Sequence, residues 1–146
     1  MGKFVEKRFL KPRRLDPERK EAVVALISEE LQRHAEILFA YLHGSFVKED
    51  RFRDIDVGIY LKEKRGFEFE SDLSFELSKK TGFEVEVRQI QAAPLPFQMA
   101  VLRDGKLLFS RDDELRTDFI EKVSKRYPEY AHFRNLNLGI EGVRRQ

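Results

Sequence analysis

The sequence predicts an α/β (α+β) domain, a small β-sheet flanked by helices, on three observations. Residues 35–42 are almost uniformly apolar, as in a central strand covered on both faces. Residues 54–61 alternate, with Ile55, Val57, Ile59 and Leu61 on one side and Asp54 and Asp56 on the other. Apolar residues recur at helical spacing on either side of these two runs, at Val23, Leu26, Ile27 and Leu31 and again at Phe69, Leu73 and Leu77.

Composition sets outer limits. A chain of 146 residues is one domain by length, with room for a single core. Charged residues make up 37% of it and cysteine is absent, against about 25% charged in an average soluble protein. With few Asn and Gln, this fits a heat-adapted cytoplasmic protein whose surface carries ion pairs. No apolar run approaches the roughly 18 residues of a membrane span, and Met1-Gly2-Lys3 leads into no signal-peptide core, so neither membrane insertion nor export is expected. A net charge of +2 excludes a molecule basic throughout and leaves polyanion binding to local patches.

Residues 1–15 form a basic N-terminal arm, with Lys3, Lys7, Arg8, Lys11, Arg13 and Arg14 against Glu6, interleaved with Phe4, Val5, Phe9 and Leu10. Two readings stay open: a nucleic-acid or partner contact, and an edge strand with a solvated face. Asp16-Pro17-Glu18 opens a helix with a capping carboxylate, Pro at the first position and an acid in the first turn. Its apolar stripe runs to His34, which reads as a packed or capping histidine. The apolar strand then delivers Gly44-Ser45 to one edge of the sheet, beside His43. A residue without Cβ lets backbone N–H groups and a hydroxyl approach phosphate oxygens closely. Residues 46–53 are expected as a charged loop, and Lys48 and Arg51 are the cations assigned to a triphosphate tail. For each of them a solvated position is the alternative. Asp54 and Asp56 are roughly 7 Å apart at the backbone, at about 3.4 Å per residue. They can therefore converge on a pair of divalent cations about 3.5 to 4 Å apart. The chemistry that fits is metal-assisted handling of a nucleoside triphosphate.

Glu63 to Gly66 marks a turn, and the following helix ends at Thr81-Gly82 in a left-handed cap. Residues 83–88 alternate, placing Phe83, Val85 and Val87 on one face and Glu84, Glu86 and Arg88 on the other. Pro94 and Pro96 are expected to break the chain before a short apolar helix, Phe97 to Leu102. A turn at Arg103 to Lys106 leads to a strand, Leu107 to Ser110. Asp112-Asp113-Glu114 starts a last helix with Leu115, Phe119, Val123 and Tyr127 as its stripe, and Pro128 is expected to end or kink it. The tail, residues 131–146, is frayed or ordered by a partner. Tyr127, Tyr130 and Phe133 form either an aromatic interaction patch or part of the core.

Gly44-Ser45, a spacer, and Asp54-x-Asp56 together resemble the DNA polymerase beta-like nucleotidyltransferase superfamily, and within it the minimal nucleotidyltransferase (MNT) domains. The spacer is shorter than usual, and Val47-Lys48-Glu49 stands where Ala-Arg-Gly is common. The resemblance covers roughly residues 20 to 130. It implies a nucleotidyltransferase fold with a small mixed β-sheet, in a domain spanning residues 16–130. It also implies a third carboxylate on a later strand between apolar neighbours, where alignment on Val85-x-Val87 selects Glu86, with Glu84 in reserve. Asp54, Asp56 and Glu86 would then hold two Mg²⁺ ions, and Gly44, Ser45, Lys48 and Arg51 would bind ATP.

The activity implied is transfer of a nucleoside monophosphate, AMP from ATP, to a hydroxyl, with pyrophosphate released. Stand-alone domains of this kind resemble antitoxins paired with helical HEPN-type toxins, so a HEPN-type partner protein is expected. Direct nucleic-acid binding and self-association stay open. Two alternatives stand beside this reading: a catalytically inactive binding module that neutralises a partner, and a small-molecule adenylyltransferase.

Overall fold

The computed structural model describes residues 12–138, with side chains as far as Glu129, so residues 1–11 of the basic arm and 139–146 of the tail lie outside the described residues. In chain order the elements are β1 (Arg13–Arg14), α1 (Pro17–Gln32), β2 (Ile37–His43), α2 (Ser45–Lys48), β3 (Arg51–Phe52), β4 (Ile55–Leu61), α3 (Phe67–Thr81), β5 (Val85–Gln89), α4 (Leu95–Asp104), β6 (Lys106–Ser110) and α5 (Asp113–Leu138), with a 3-10 turn at Ile90–Ala92. Four strands lie in the order β5-β4-β2-β6. The β2–β4 and β2–β6 pairs are antiparallel and β4–β5 is parallel, so the sheet is mixed, as expected. Strands β1 and β3 form a separate two-stranded ribbon.

Local signals place most boundaries. The Asp16 carboxylate accepts from the Arg19 N–H at 2.8 Å, and Pro17 occupies a position whose N–H would have no helical partner. Helix α3 stops at Gly82, whose φ of 79° lies in the left-handed region. Three expectations are corrected. Residues 46–53 are not a plain loop: Ser45–Lys48 make one helical turn and Arg51–Phe52 a short strand, because Phe46 and Phe52 are pulled into the core edge-to-face at 4.7 Å. Helix α4 starts at Leu95 rather than Phe97, since Pro96 falls in the first turn, where a missing N–H breaks no bond. Helix α5 continues through Pro128 to Leu138, losing the bond Pro128 would have donated to Ser124 but not ending there. Side chains of Tyr130 and Phe133 lie outside the described residues, while Tyr127 is half-buried.

The sheet separates two apolar layers. On one face Ile55, Val57, Ile59 and Leu61 of β4 meet Ile27 and Leu31 of α1 and Leu73 and Leu77 of α3. On the other, Phe39 and Tyr41 of β2 pack with Val101 of α4 and Leu115 and Phe119 of α5. Strand alternation dictates this split, and it turns Asp56, Gly58 and Tyr60 of β4 toward the α4/α5 face. His34 ends α1's stripe edge-on to Phe69 at 6.0 Å, a packing role.

Strand β5 is at the sheet's margin, and its outer N–H groups are taken by α3. Ser78 Oγ accepts from Val85 at 2.9 Å, Ser74 Oγ from Val87 at 2.8 Å and a Glu70 carboxylate oxygen from Gln89 at 2.8 Å. One acceptor per helical turn meets one donor per two strand residues, because four helical residues rise about 6 Å and two strand residues about 6.6 Å. The buried Gln89 amide completes the junction, donating to the Arg65 carbonyl and accepting from the Arg65 N–H.

Candidate active site

Three adjacent strands bring the acids together. In register, His43 of β2 lies opposite Asp56 of β4, and Asp56 opposite Glu86 of β5. Asp54, one residue before β4, is fixed because the Ile55 N–H donates to the Glu84 carbonyl at 2.8 Å. One carboxylate oxygen from each of Asp54, Asp56 and Glu86 lies within 4.8 Å of the other two. Asp54 is buried, at 8% exposure, and the other two are half-buried. Glu84, one strand period back, is outside this group. Three carboxylates offer hard oxygen donors, the set that Mg²⁺ prefers.

Gly44 closes the site from the end of β2. Its φ is 83°, and a Cβ placed there would sit 2.4 Å from Asp56 Oδ2. Glycine is thus required twice, for the left-handed backbone and for the approach to the carboxylate. The turn is held by the N–H groups of Val47 and Lys48, which donate to the Gly44 carbonyl at 3.1 and 3.2 Å.

The acids separate two hollows. One, of about 270 Å³, is lined by Pro12, Ser45, Glu49, Arg51, Phe52, Arg53 and Asp54. The other, of about 250 Å³, is lined by His43, Asp56, Glu86, Arg88 and Phe97. Of the two predicted triphosphate cations, Arg51 faces the first hollow together with Ser45. Lys48 lies elsewhere, its Nζ 3.8 Å from Asp104 at the end of α4. The Asp104 carboxyl is held below its usual range by its hydrogen bond to Arg103, with Lys48 adding to the effect, and the Arg103 guanidinium is raised in turn. Sequence reading passed over Arg88 and Phe97. The signal for Arg88 was present, since the alternation that turns Glu86 out of the core turns Arg88 out beside it; nothing marked Phe97.

A family model described as polymerase beta, nucleotidyltransferase matches residues 26–114. Comparison with curated proteins by sequence gives no match. Among solved structures, the chain is similar to one in the MntA-HepT toxin-antitoxin complex, at 18% identity and a TM-score of 0.63, covering 85% of this chain and 97% of that one. A chain of a toxin-antitoxin structure with AMP-PNP matches at 20% identity and a TM-score of 0.67, covering 82% and 95%. A third is in the complex of tri-AMPylated Shewanella oneidensis HEPN toxin with MNT antitoxin, at 20% identity and a TM-score of 0.64, covering 80% and 96%. At these identities the likeness is one of fold.

Proposed function

The chain belongs to the polymerase beta nucleotidyltransferase family, and from that membership we infer that it is a magnesium-dependent adenylyltransferase, the MNT antitoxin of a pair whose HEPN-type toxin is its acceptor. The observation carrying this reading is the meeting of Asp54, Asp56 and Glu86 within 4.8 Å beside the Gly44-Ser45 turn. The fold neighbours support the partner class, since one contains an AMPylated HEPN toxin and another AMP-PNP. With ATP as donor, the cytoplasm is the compartment.

Asp54, Asp56 and Glu86 hold two Mg²⁺ ions, which supply neutralisation of charge on the phosphates when bound. Ser45 and the Gly44 backbone hold the outer phosphates, and Arg51 in the same hollow offsets their charge. Lys48 joins them on leaving Asp104. Glu86, at the second hollow, accepts the proton of the acceptor hydroxyl as its oxygen attacks the α-phosphorus. The bond from that phosphorus to the bridging oxygen breaks, and pyrophosphate leaves with the electron pair.

The test is labelling with ATP carrying radioactive α-phosphate, in the presence of Mg²⁺ and the candidate toxin. Wild type labels the toxin, and the Asp54→Asn, Asp56→Asn double variant does not. Equal toxin neutralisation by the double variant overturns the reading in favour of a non-catalytic binding module. ATP turnover with small hydroxylated acceptors and none with the protein overturns it in favour of a small-molecule enzyme.

A further inference from the structure

We propose that Arg13 is a positioning residue of the nucleotide hollow: it pins the β1–β3 ribbon so that Arg53, beside Arg51, is held against the outer phosphates of a nucleoside triphosphate. This rests on the adenylyltransferase reading above. In the antiparallel ribbon Arg13 lies opposite Phe52 and Arg14 opposite Arg51. Residues directly opposite each other share a face, so Arg13 and Phe52 stand on one side of the ribbon and Arg14 and Arg51 on the other. Alternation carried one residue further puts Arg53 with Arg51, and both line the hollow that contains Ser45.

The ribbon is fastened through its inner side. The Arg13 guanidinium carbon lies 4.2 Å over the Phe83 ring, and the same group donates to the Gly82 carbonyl at 3.0 Å. Phe52 meets Phe83 at 5.4 Å and Phe46 at 4.7 Å. Gly82 caps α3 and Phe83 leads into β5. The ribbon is thereby tied to the segment whose Glu84 carbonyl accepts from Ile55 and fixes Asp54. Two strands of two residues each have too few bonds to hold together alone. The buried Phe52 fixes β3 at one point; pairing with β1 sets the direction of its backbone, and Arg13 holds β1.

The outer side carries a cost. Arg14 stands directly opposite Arg51, where like charges repel. Asp50, 3.9 Å from Arg14, relieves little of this because both partners are well exposed. Arg53 adds a third guanidinium to that side, and of the two carboxylates lining the hollow, Glu49 and Asp54, the second faces the metal cluster. An anion in the hollow turns the repulsion into attraction. The β- and γ-phosphates lie on the Ser45 side of the acids, and guanidinium forks match their oxygens. A nucleoside monophosphate has no outer phosphates and gains nothing from this side of the ribbon.

The experiment measures dissociation constants for α,β-methylene-ATP and for AMP, both with Mg²⁺, in wild type, Arg13→Gln, Arg13→Lys and Arg53→Gln, with a urea melt of each. Arg53→Gln loses hydrogen bonds to a charged group, and is expected to weaken the triphosphate analogue about tenfold while AMP stays within about twofold. Arg13→Gln is expected to weaken the analogue about fivefold, again with AMP unchanged, and Arg13→Lys, which still donates to the Gly82 carbonyl, to recover part of the loss. Equal weakening of both ligands by Arg13→Gln, or a lowered urea midpoint with unchanged affinities, overturns the proposal and leaves Arg13 a structural residue only. So does an Arg53→Gln protein that binds the analogue as wild type does, or a wild type that binds it no better than AMP. The expected pattern of affinities in a protein that labels no acceptor upholds the positioning role, and counts against the adenylyltransferase reading alone.

Discussion

Gly44 shows how much one missing carbon contributes. Its backbone, at φ 83° and ψ −163°, lies in a region that is essentially glycine's own and costs an L-residue about 1–3 kcal/mol, and a methyl group 2.4 Å from Asp56 Oδ2 would force that carboxylate to move. Gly44→Ala is expected to lower stability by about that amount in a urea melt and to displace the Asp56 carboxylate. Its loss of transfer activity should therefore exceed tenfold, far beyond its loss of fold. A residue at the end of α4 acts by restraint. Asp104 holds Lys48 at 3.8 Å, and its lowered pKa means that the tie is present in full above the ordinary value of 3.8 and is lost only as pH falls through the lowered one. Asp104→Asn releases Lys48 at neutral pH, and KM for ATP is expected to fall, by less than about fivefold for an exposed ion pair. An unchanged or raised KM removes Lys48 from the triphosphate contacts.

At the scale of the element, the polar side chains of α3 matter as much as its apolar stripe. Glu70, Ser74 and Ser78 position β5, and β5 carries Glu86. Ser74→Ala leaves the buried Val87 N–H without its acceptor and is expected to cost about 1–3 kcal/mol. Amide hydrogen exchange at Val87 should quicken while the exchange of β2 amides follows only the global loss. The strand alternation of residues 55–61 and 85–88 was legible because the branched aliphatic side chains of each fill the α1/α3 face while the acids stand on the other, and it was enough to turn Asp54, Asp56 and Glu86 to one side. The four-residue α2 was not legible, since one turn shows no periodicity. Nor was the bonding of α3 to β5, because serines spaced four apart read equally well as solvent-facing. Of the two outcomes expected at Pro128, an end or a kink, the end does not occur: the rule against proline in a helix states a cost, and α5 continues through it.

Over the whole molecule, one sheet serves as the floor of two cores, so damage on either face should be felt by both. Phe39→Ala on the α4/α5 side is expected to cost about 3–5 kcal/mol and Ile59→Ala on the α1/α3 side about 2–5 kcal/mol. Each should shift a single cooperative urea transition, seen alike by circular dichroism and aromatic fluorescence, and a split transition in either would show two independent units. Several ion pairs join two well-exposed partners, Arg14–Asp50, Arg19–Asp16 and Arg65–Glu36 among them, and such pairs contribute little to this framework. With the outer N–H groups of Val85, Val87 and Gln89 already occupied by α3, that margin of the sheet gives an incoming peptide nothing to zip onto. Strand addition by a bound protein, or stacking of copies through the acid-bearing strand, is closed there, and the other margin, β6, lies two strands from β4. A protein that docks at the β5 margin must therefore be held by side chains rather than by backbone pairing.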